Sequence, residues 1–419
     1  MSIDPGKLSE HAQAIARIHP WYGRLLSENS GMNGSDHAGS STLRDLPLLT
    51  AELLEEHYYA QPPRTEPGLS VYRTSGTSTG IRKAIYYSPE DDARYIAAKL
   101  ASFERWLQAG GDVPGPLPVK RALADLGTGH AAGTALRIFT RMGLEGEAIP
   151  FSSPVEDHVA KLASFRPDLL YTMPSLLEAI ADAWPANEPL GLKRIILVGE
   201  MASKEWQANM ADRLGLAPQH LLDTYGSIEV GAIAAYSHAI GRYVLADGVH
   251  GEALPVAAIG DGYEPLADGE HVLALTSFDR LLFPVIRFVT YDVVRNFEVV
   301  EIDGVPRGTF SCIVKRIGPE LKHGEKISLY DIEEAVHRHL RDAAVRVAVS
   351  GNRLKLHIRS GELARHPEKL EAVRYEVEHR IPDIGMMIRG RLLQGIDIIL
   401  ADEHHPLPSG SVKAKKIYP

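Results

Sequence analysis

Residues 74–83 read Thr-Ser-Gly-Thr-Ser-Thr-Gly-Ile-Arg-Lys, a segment whose residue types could do chemistry. The hydroxyls of Thr74, Ser75, Thr77 and Ser78, with backbone N–H groups around Gly76 and Gly80, can wrap a polyphosphate. Arg82 and Lys83 would offset its charge. The segment lacks the Gly-Lys-Ser/Thr ending of a Walker loop and the dinucleotide Gly-x-Gly-x-x-Gly pattern. By composition alone it is equally a flexible turn. Downstream, Tyr225-Gly226-Ser227-Ile228-Glu229 sets an aromatic ring beside a glycine and a carboxylate. Such a group could stack a base and hold Mg²⁺ through oxygen. Read locally, it is a strand end with a core tyrosine and a surface glutamate. Asp292 ends an apolar run and could accept two ribose hydroxyls, or simply occupy a turn. Lys413 lies in a basic tail, commonly only solvated; a lysine there is also suited to charge developing on a phosphate and a carboxylate. His130 stands among Gly127, Gly129, Ala131, Ala132 and Gly133, small neighbours that leave room for a ligand. The eighteen histidines form no metal pattern, and His337, His339, His404 and His405 read as surface residues.

The elements that must position these groups follow from periodicity. Residues 8–28 carry Ala12, Ile15, Ala16, Trp21 and Leu25 at helical spacing. Short strands at 71–72 and 84–87 flank the Gly/Ser/Thr loop. Ser88-Pro89-Glu90-Asp91 then caps a helix whose apolar face is Ile96, Leu100, Phe103 and Leu107. β-rich runs at 169–172, 195–198, 271–275, 285–289 and 298–301 alternate in part with helices at 174–183 and 204–214. That alternation predicts an α/β architecture with helix-flanked sheets. After Gly318-Pro319 a smaller α+β pattern begins: helix 329–340, strands 345–350 and 353–359, helix 367–380 and strand 395–400. Gly-Pro is a candidate pivot before this unit.

The chain has 419 residues, 44% apolar and 24% charged, with a formal charge of −9. This is the balance of a soluble globular chain of two or three domains. It argues against a general nucleic-acid or anionic-membrane binder. A single cysteine, Cys312, excludes an intrachain disulfide and a cysteine-cluster zinc. No secretory signal is visible, and no apolar run approaches the ~20 residues that span a bilayer. A cytoplasmic enzyme with small-molecule substrates is expected.

Taken in order, these segments resemble the adenylate-forming superfamily, and within it the phenylacetate–CoA ligase branch. His19-Pro20-Trp21-Tyr22 with Leu25-Leu26 is similar to that branch's amino-terminal stretch, and Leu46-Pro47-Leu48-Leu49-Thr50 to its next motif. Residues 74–83 look like its phosphate loop, closest to the variant of plant acyl-acid amido synthetases. Pro174-Ser175, Gly199-Glu200, Tyr225–Glu229, Ile286–Asp292 and the Lys413 segment follow in family order.

The resemblance implies a body over 1–316 and a mobile lid over 317–419 that carries the catalytic Lys413. Thr74, Ser75, Gly76, Thr77, Ser78 and Gly80 would cradle the phosphates of ATP, with Lys83 beside them. Gly199, Glu200 and Met201 would line the adenine and Tyr225 stack on it, next to Gly226 and Ser227. Glu229 would hold Mg²⁺, Asp292 the ribose, and Arg316 ribose or phosphate; Arg287 would join the cations around the nucleotide. His130, Ala131, Gly133 and Ala232 would line the acyl pocket. A compact aromatic acid would become an acyl-adenylate and pass to coenzyme A. An amine or a carrier-protein thiol is the alternative acceptor, and a non-catalytic nucleotide binder the second alternative. A second copy of the chain is a further candidate partner; nucleic acid and membrane are not. The sequence departs from the family pattern at Ile228, where a Thr or Ser precedes the glutamate, at Lys315, where a glycine stands, and within 317–319, where the acidic hinge residue is absent.

Overall fold

The computed structural model describes residues 3–32, 42–61, 66–73, 83–109, 119–126, 130–185, 187–318, 327–350, 352–391, 393–401 and 417–418. The chain forms two compact units, and both are discontinuous in sequence: 1–103 with 225–236 and 241–311, and 104–224 with 237–240 and 312–419.

In the first unit the helix Pro5–Ile18 starts at Asp4, whose side chain accepts from the N–H groups of Gly6 and Lys7. Its buried stripe is Leu8, Ala12 and Ile15, the expected helical spacing. The strands Ser70–Arg73 and Ala84–Tyr87 pair antiparallel, with Arg73 opposite Ala84. The phosphate-loop candidates 74–80 between them lie outside the described residues. The helix Pro89–Ala109 is capped as expected: the Asp91 N–H donates to Ser88 Oγ and the Ser88 N–H to Asp91 Oδ2, at 3.0 and 3.2 Å. Ile96 and Phe103 are buried on its inner face.

Val249–Leu254, Glu270–Ser277 and Phe288–Arg295 pair antiparallel in the sheet that carries Asp292. The sequence predicts a strand at 285–289, but pairing begins only at Phe288. Arg287 there takes a left-handed φ of 46° and breaks the extended run. Val272 pairs with Val293 and Ala274 with Val289, so two steps on one strand face four on the other. The bulge contains Tyr291 at φ 62° and re-aims Asp292.

In the second unit five strands run parallel in the order Glu145–Pro150, Arg121–Leu126, Leu169–Thr172, Arg194–Val198 and Leu221–Ser227. Helices return the chain between them, and Leu123, Leu170, Leu177, Leu197 and Trp206 fill the core beneath. This is the helix-covered α/β layer predicted from the alternation of elements.

The carboxy-terminal part of the same unit orders its strands Ile396–Leu400, Arg353–Arg359, Ala344–Ser350 and Ile417–Tyr418. The helices Leu329–His339 and Lys369–Arg380 contribute Ile332, Val336, Val373 and Val377 to its core. The predicted helix 367–380 is joined by two others, Gly361–Arg365 and Pro382–Arg389; Pro382 restarts the chain as a helix N1 residue. This part meets segment 104–224 through polar contacts. Asn209 Nδ2 donates to the His337 carbonyl at 2.9 Å, Arg341 pairs with Asp212 at 2.8 Å, and Lys204 with Glu334 at 3.3 Å. Glu178 accepts from Trp206 Nε1 at 2.6 Å and lies 3.8 Å from Arg346, all three being buried. His337, expected at the surface, is buried as well.

Candidate active site

The strand Leu221–Ser227 ends in the Tyr225–Glu229 segment, and the first unit builds a tight turn there. A Cβ on Gly226 would stand 2.7 Å from the Gly231 carbonyl oxygen, so only glycine allows that close backbone approach. Ser227 Oγ accepts from the Val230 N–H at 3.2 Å, and Tyr87 donates its hydroxyl to the Ile228 carbonyl at 2.7 Å. The turn is thus pinned from both sides, and it presents a half-buried Glu229. Burial raises the Tyr87 pKa, which keeps its phenol a neutral donor, and the Glu229 charge adds to that shift.

Tyr225 and Asp292 are 67 positions apart in sequence and touch in space: the Tyr225 hydroxyl donates to Asp292 Oδ2. The Tyr225 ring packs edge-on against Phe310, with centroids 6.3 Å apart. The Asp292 N–H donates to Thr290 Oγ1 at 3.1 Å, which fixes the bulge that carries it. A half-buried carboxylate beside an aromatic ring can hold a polar, planar ligand through hydroxyls and stacking.

Within the second unit, Gly199 takes φ 84° at the end of Arg194–Val198, and Glu200 leaves the sheet there. The Glu200 carboxylate accepts from the Ser175 N–H at 2.9 Å and from Ser175 Oγ at 2.8 Å, tying the start of helix Pro174–Ala183. Met201 packs against the carboxy-terminal core. Arg316 is exposed at the end of strand Cys312–Arg316.

Lys83, predicted beside the phosphate loop, pairs with Glu55 and lies over the Tyr59 ring, 4.9 Å from its centroid. Arg287 is engaged elsewhere than the sequence suggested. It forks onto Glu252 with two 3.0 Å bonds, and its Nη1 donates to the carbonyls of Arg44 and Leu46. Four bonds to protein acceptors leave it a structural clamp rather than a nucleotide cation. His130 and Ala131 begin the helix His130–Arg141, but their side chains, like Lys413, lie outside the described residues. A Cβ on Gly133 would meet nothing within 4 Å. Ala232 lines a recess with Tyr95, Ala98, Val230 and Arg280.

Sequence reasoning missed Arg280 and Tyr87. Arg280 is 2% exposed, and its guanidinium lies over Tyr87, 3.5 Å from the ring centroid. The available signal was Asp279-Arg280 interrupting an otherwise apolar stretch over 272–286.

No cluster of three potential metal ligands occurs among the described residues. Glu229 as a single carboxylate nonetheless suits Mg²⁺, which binds proteins through one or two carboxylates and takes its other oxygens from phosphate and water. No helix among the described residues is long and apolar enough to cross a membrane.

The architecture is that of the adenylate-forming enzymes. A 2-hydroxyisobutyryl-CoA ligase in the postadenylation state superposes with a TM-score of 0.71 at 17% identity, over 99% of this chain and 88% of that one. The amide bond synthetase McbA from Marinactinospora thermotolerans gives 0.51 at 16% identity, over 86% and 74%. The fumarate–(S)-2,3-diaminopropanoate ligase of Enterobacter agglomerans is 37% identical over 391 residues, 93% of each chain. A model of the carboxy-terminal domain of fumarate–diaminopropanoate ligase matches residues 322–402. The chain belongs to the fumarate–diaminopropanoate ligase family of adenylate-forming ligases.

Proposed function

We propose that the protein joins a small aliphatic dicarboxylic acid of the fumarate type to the amine of a diamino acid, with ATP cleaved to AMP and pyrophosphate. The observation that carries this reading is the 37% identity, end to end, with a ligase named for those substrates. In the first step a carboxylate oxygen attacks the α-phosphorus of ATP in line, the bond to the β-phosphate oxygen breaks, and pyrophosphate leaves. In the second step an unprotonated amine attacks the acyl carbon. The C–O bond to AMP breaks, AMP leaves with the electron pair, and the ammonium proton passes to solvent.

Residues 74–80 and Lys83 would lie along the phosphates, Gly199–Met201 and Tyr225 at the adenine, and Asp292 and Arg316 at the ribose. Mg²⁺ bound to Glu229 would neutralise phosphate charge. Lys413, carried by a lid over 317–419, would balance charge on the attacking carboxylate and the α-phosphate. The aryl acid and coenzyme A suggested first by the motif order differ from the substrates in the relative's name. The amine alternative therefore becomes the leading reading, and thioester formation the second.

One experiment separates the two. Purified protein is given ATP, Mg²⁺ and either fumarate or benzoate. Pyrophosphate release is followed, and products with 2,3-diaminopropanoate or coenzyme A are identified by mass. Fumarate-dependent release with an amide product supports the proposal; benzoate-dependent release with a thioester overturns it. Lys413→Ala should lower acid-dependent pyrophosphate release by about 10²–10³-fold. Unchanged release would remove Lys413 from the chemistry.

A further inference from the structure

Activating one end of a dicarboxylic acid raises a physical problem at the other. The second carboxylate stays charged, and burying it beside the acyl-adenylate is unfavourable unless a cation meets it. The first unit contains a small recess, part of it open to solvent. Ala98, Val230 and Ala232 give it an apolar wall, and Val230 follows Glu229 directly.

Arg280 lies in its lining and is 2% exposed. Its Nη2 donates to the Tyr86 carbonyl at 3.2 Å, while Nε and Nη1 have no hydrogen-bond partner among the described residues. A buried guanidinium with open N–H groups is costly in an apo protein and is paired wherever a partner exists. The other charged groups of the lining are engaged or attenuated. Arg94 pairs with Glu90 at 2.6 Å, Asp247 with Arg307, and Asp91 accepts from the Ser88 N–H. Burial shifts Asp279 towards its neutral form, with Arg94 and Lys7 opposing. Arg94 uses only Nη2 on Glu90 and stays partly exposed, so Arg280 is the buried cation of the recess with donors to spare.

Its position also connects it to the reacting end. The guanidinium stacks on Tyr87, and the Tyr87 hydroxyl holds the Ile228 carbonyl one residue before Glu229. A flat cation, a rigid ring and the pinned turn form one continuous support.

We infer that Arg280 is the specificity-determining anchor for the distal carboxylate of the acid substrate, received by its Nε and Nη1 groups in the recess lined by Ala98, Val230 and Ala232. This rests on the proposed activation of a dicarboxylic acid and adds the residue that selects it. A site built around a hydrogen-bonding group rejects analogues that lack the partner far more strongly than an apolar pocket distinguishes sizes. A carboxylate meeting Arg280 has two oxygens for two N–H groups, and lysine lacks that fork.

The test is ATP–pyrophosphate exchange with fumarate, monomethyl fumarate and crotonate, on the wild type, Arg280→Met and Arg280→Lys. The wild type should prefer fumarate to crotonate by at least ~100-fold in kcat/KM. Arg280→Met should raise the fumarate KM by ~100-fold or more, leave crotonate within about threefold, and so abolish the preference. Arg280→Lys should fall between. Equal loss with fumarate and crotonate, or an unchanged fumarate KM, would overturn the assignment. If Arg280→Met does not fold, the selectivity of Arg280→Lys decides: a preference equal to that of the wild type rules the anchor out. The two levels fail differently. A wild type that exchanges with monocarboxylic acids but no dicarboxylic acid refutes the proposed substrate class and the anchor together. A wild type that uses fumarate, with a variant that keeps the preference, refutes only Arg280.

Discussion

The Tyr225 hydroxyl does something its place in the sequence did not suggest. In the proposed stacking role it would need only its ring, yet the phenol bonds to Asp292, a carboxylate offered by a bulge on another strand. The bond positions both groups at once, because it limits the rotation of the ring and of the carboxylate. Tyr225→Phe keeps the ring and removes the donor. It should raise the KM for ATP by about 3–10-fold, the equivalent of one lost hydrogen bond of about 1 kcal/mol, with kcat little changed. Steady-state kinetics with ATP varied at saturating acid checks this. A change confined to kcat would instead place the hydroxyl in the chemical step. Arg280 teaches the complementary lesson at the same scale, since a charged residue in an apolar run looks like an interruption until its open donors are seen.

At the scale of elements, Arg287 helps to fasten the sheet of the first unit to the segment before it. Arg287 sits at the break where the strand Phe288–Arg295 begins. Its fork on Glu252 and its bonds to the carbonyls of Arg44 and Leu46 hold 42–50 along the sheet. The Leu49 N–H and carbonyl bond to Arg287 and Val289 in support. Removing one partner of a buried, hydrogen-bonded pair leaves the other charge without compensation. Arg287→Met should therefore destabilise the protein by about 3–5 kcal/mol, read as a lowered denaturation midpoint. If stability is unaltered and the ATP KM rises, Arg287 serves the nucleotide after all. Part of the layout was legible in the sequence: the capped helix at Pro89, the strands 169–172 and 195–198 with the helices 174–183 and 204–214, and the small carboxy-terminal α+β pattern. Strand starts were less legible. Residues 285–289 are uniformly suited to a strand, and only the left-handed turn at Arg287 decides where pairing can begin.

For the whole molecule, two poorly solvated histidines contribute to the response to acid. His11 and His250 flank Phe278, with ring centroids 4.9 and 5.5 Å from it, and burial pushes both pKa values down to about 4. Neighbouring Lys7 acts in the same direction on both. The unfolded chain takes up these protons near pH 6.5, and the folded chain refuses them until about pH 4. The stability these sites supply is thus complete above pH 6.5 and is lost as pH falls between the two values. Together they should remove on the order of a few kcal/mol by pH 4, His250 contributing less because water screens it more. Denaturant unfolding at pH 7.5 and pH 5 should show the fall, and His11→Gln should reduce it. An equal fall in that variant would assign the acid sensitivity elsewhere.

The sequence by itself determined the superfamily and the α/β class, because these depend on local patterns in a fixed order. Gly199 could be marked because it follows a strand that periodicity reveals, whereas Tyr225, Glu229 and Asp292 were marked by residue type and motif order. Tertiary structure alone decided which marked residues share a bond and which cations are already taken. It joined Tyr225 to Asp292, gave Arg287 to Glu252 and Lys83 to Glu55, buried His337, and left Arg280 with open donors over Tyr87. The physical reason is that a charge acquires its role from its partner and its access to water. Both are fixed by segments far away in the chain.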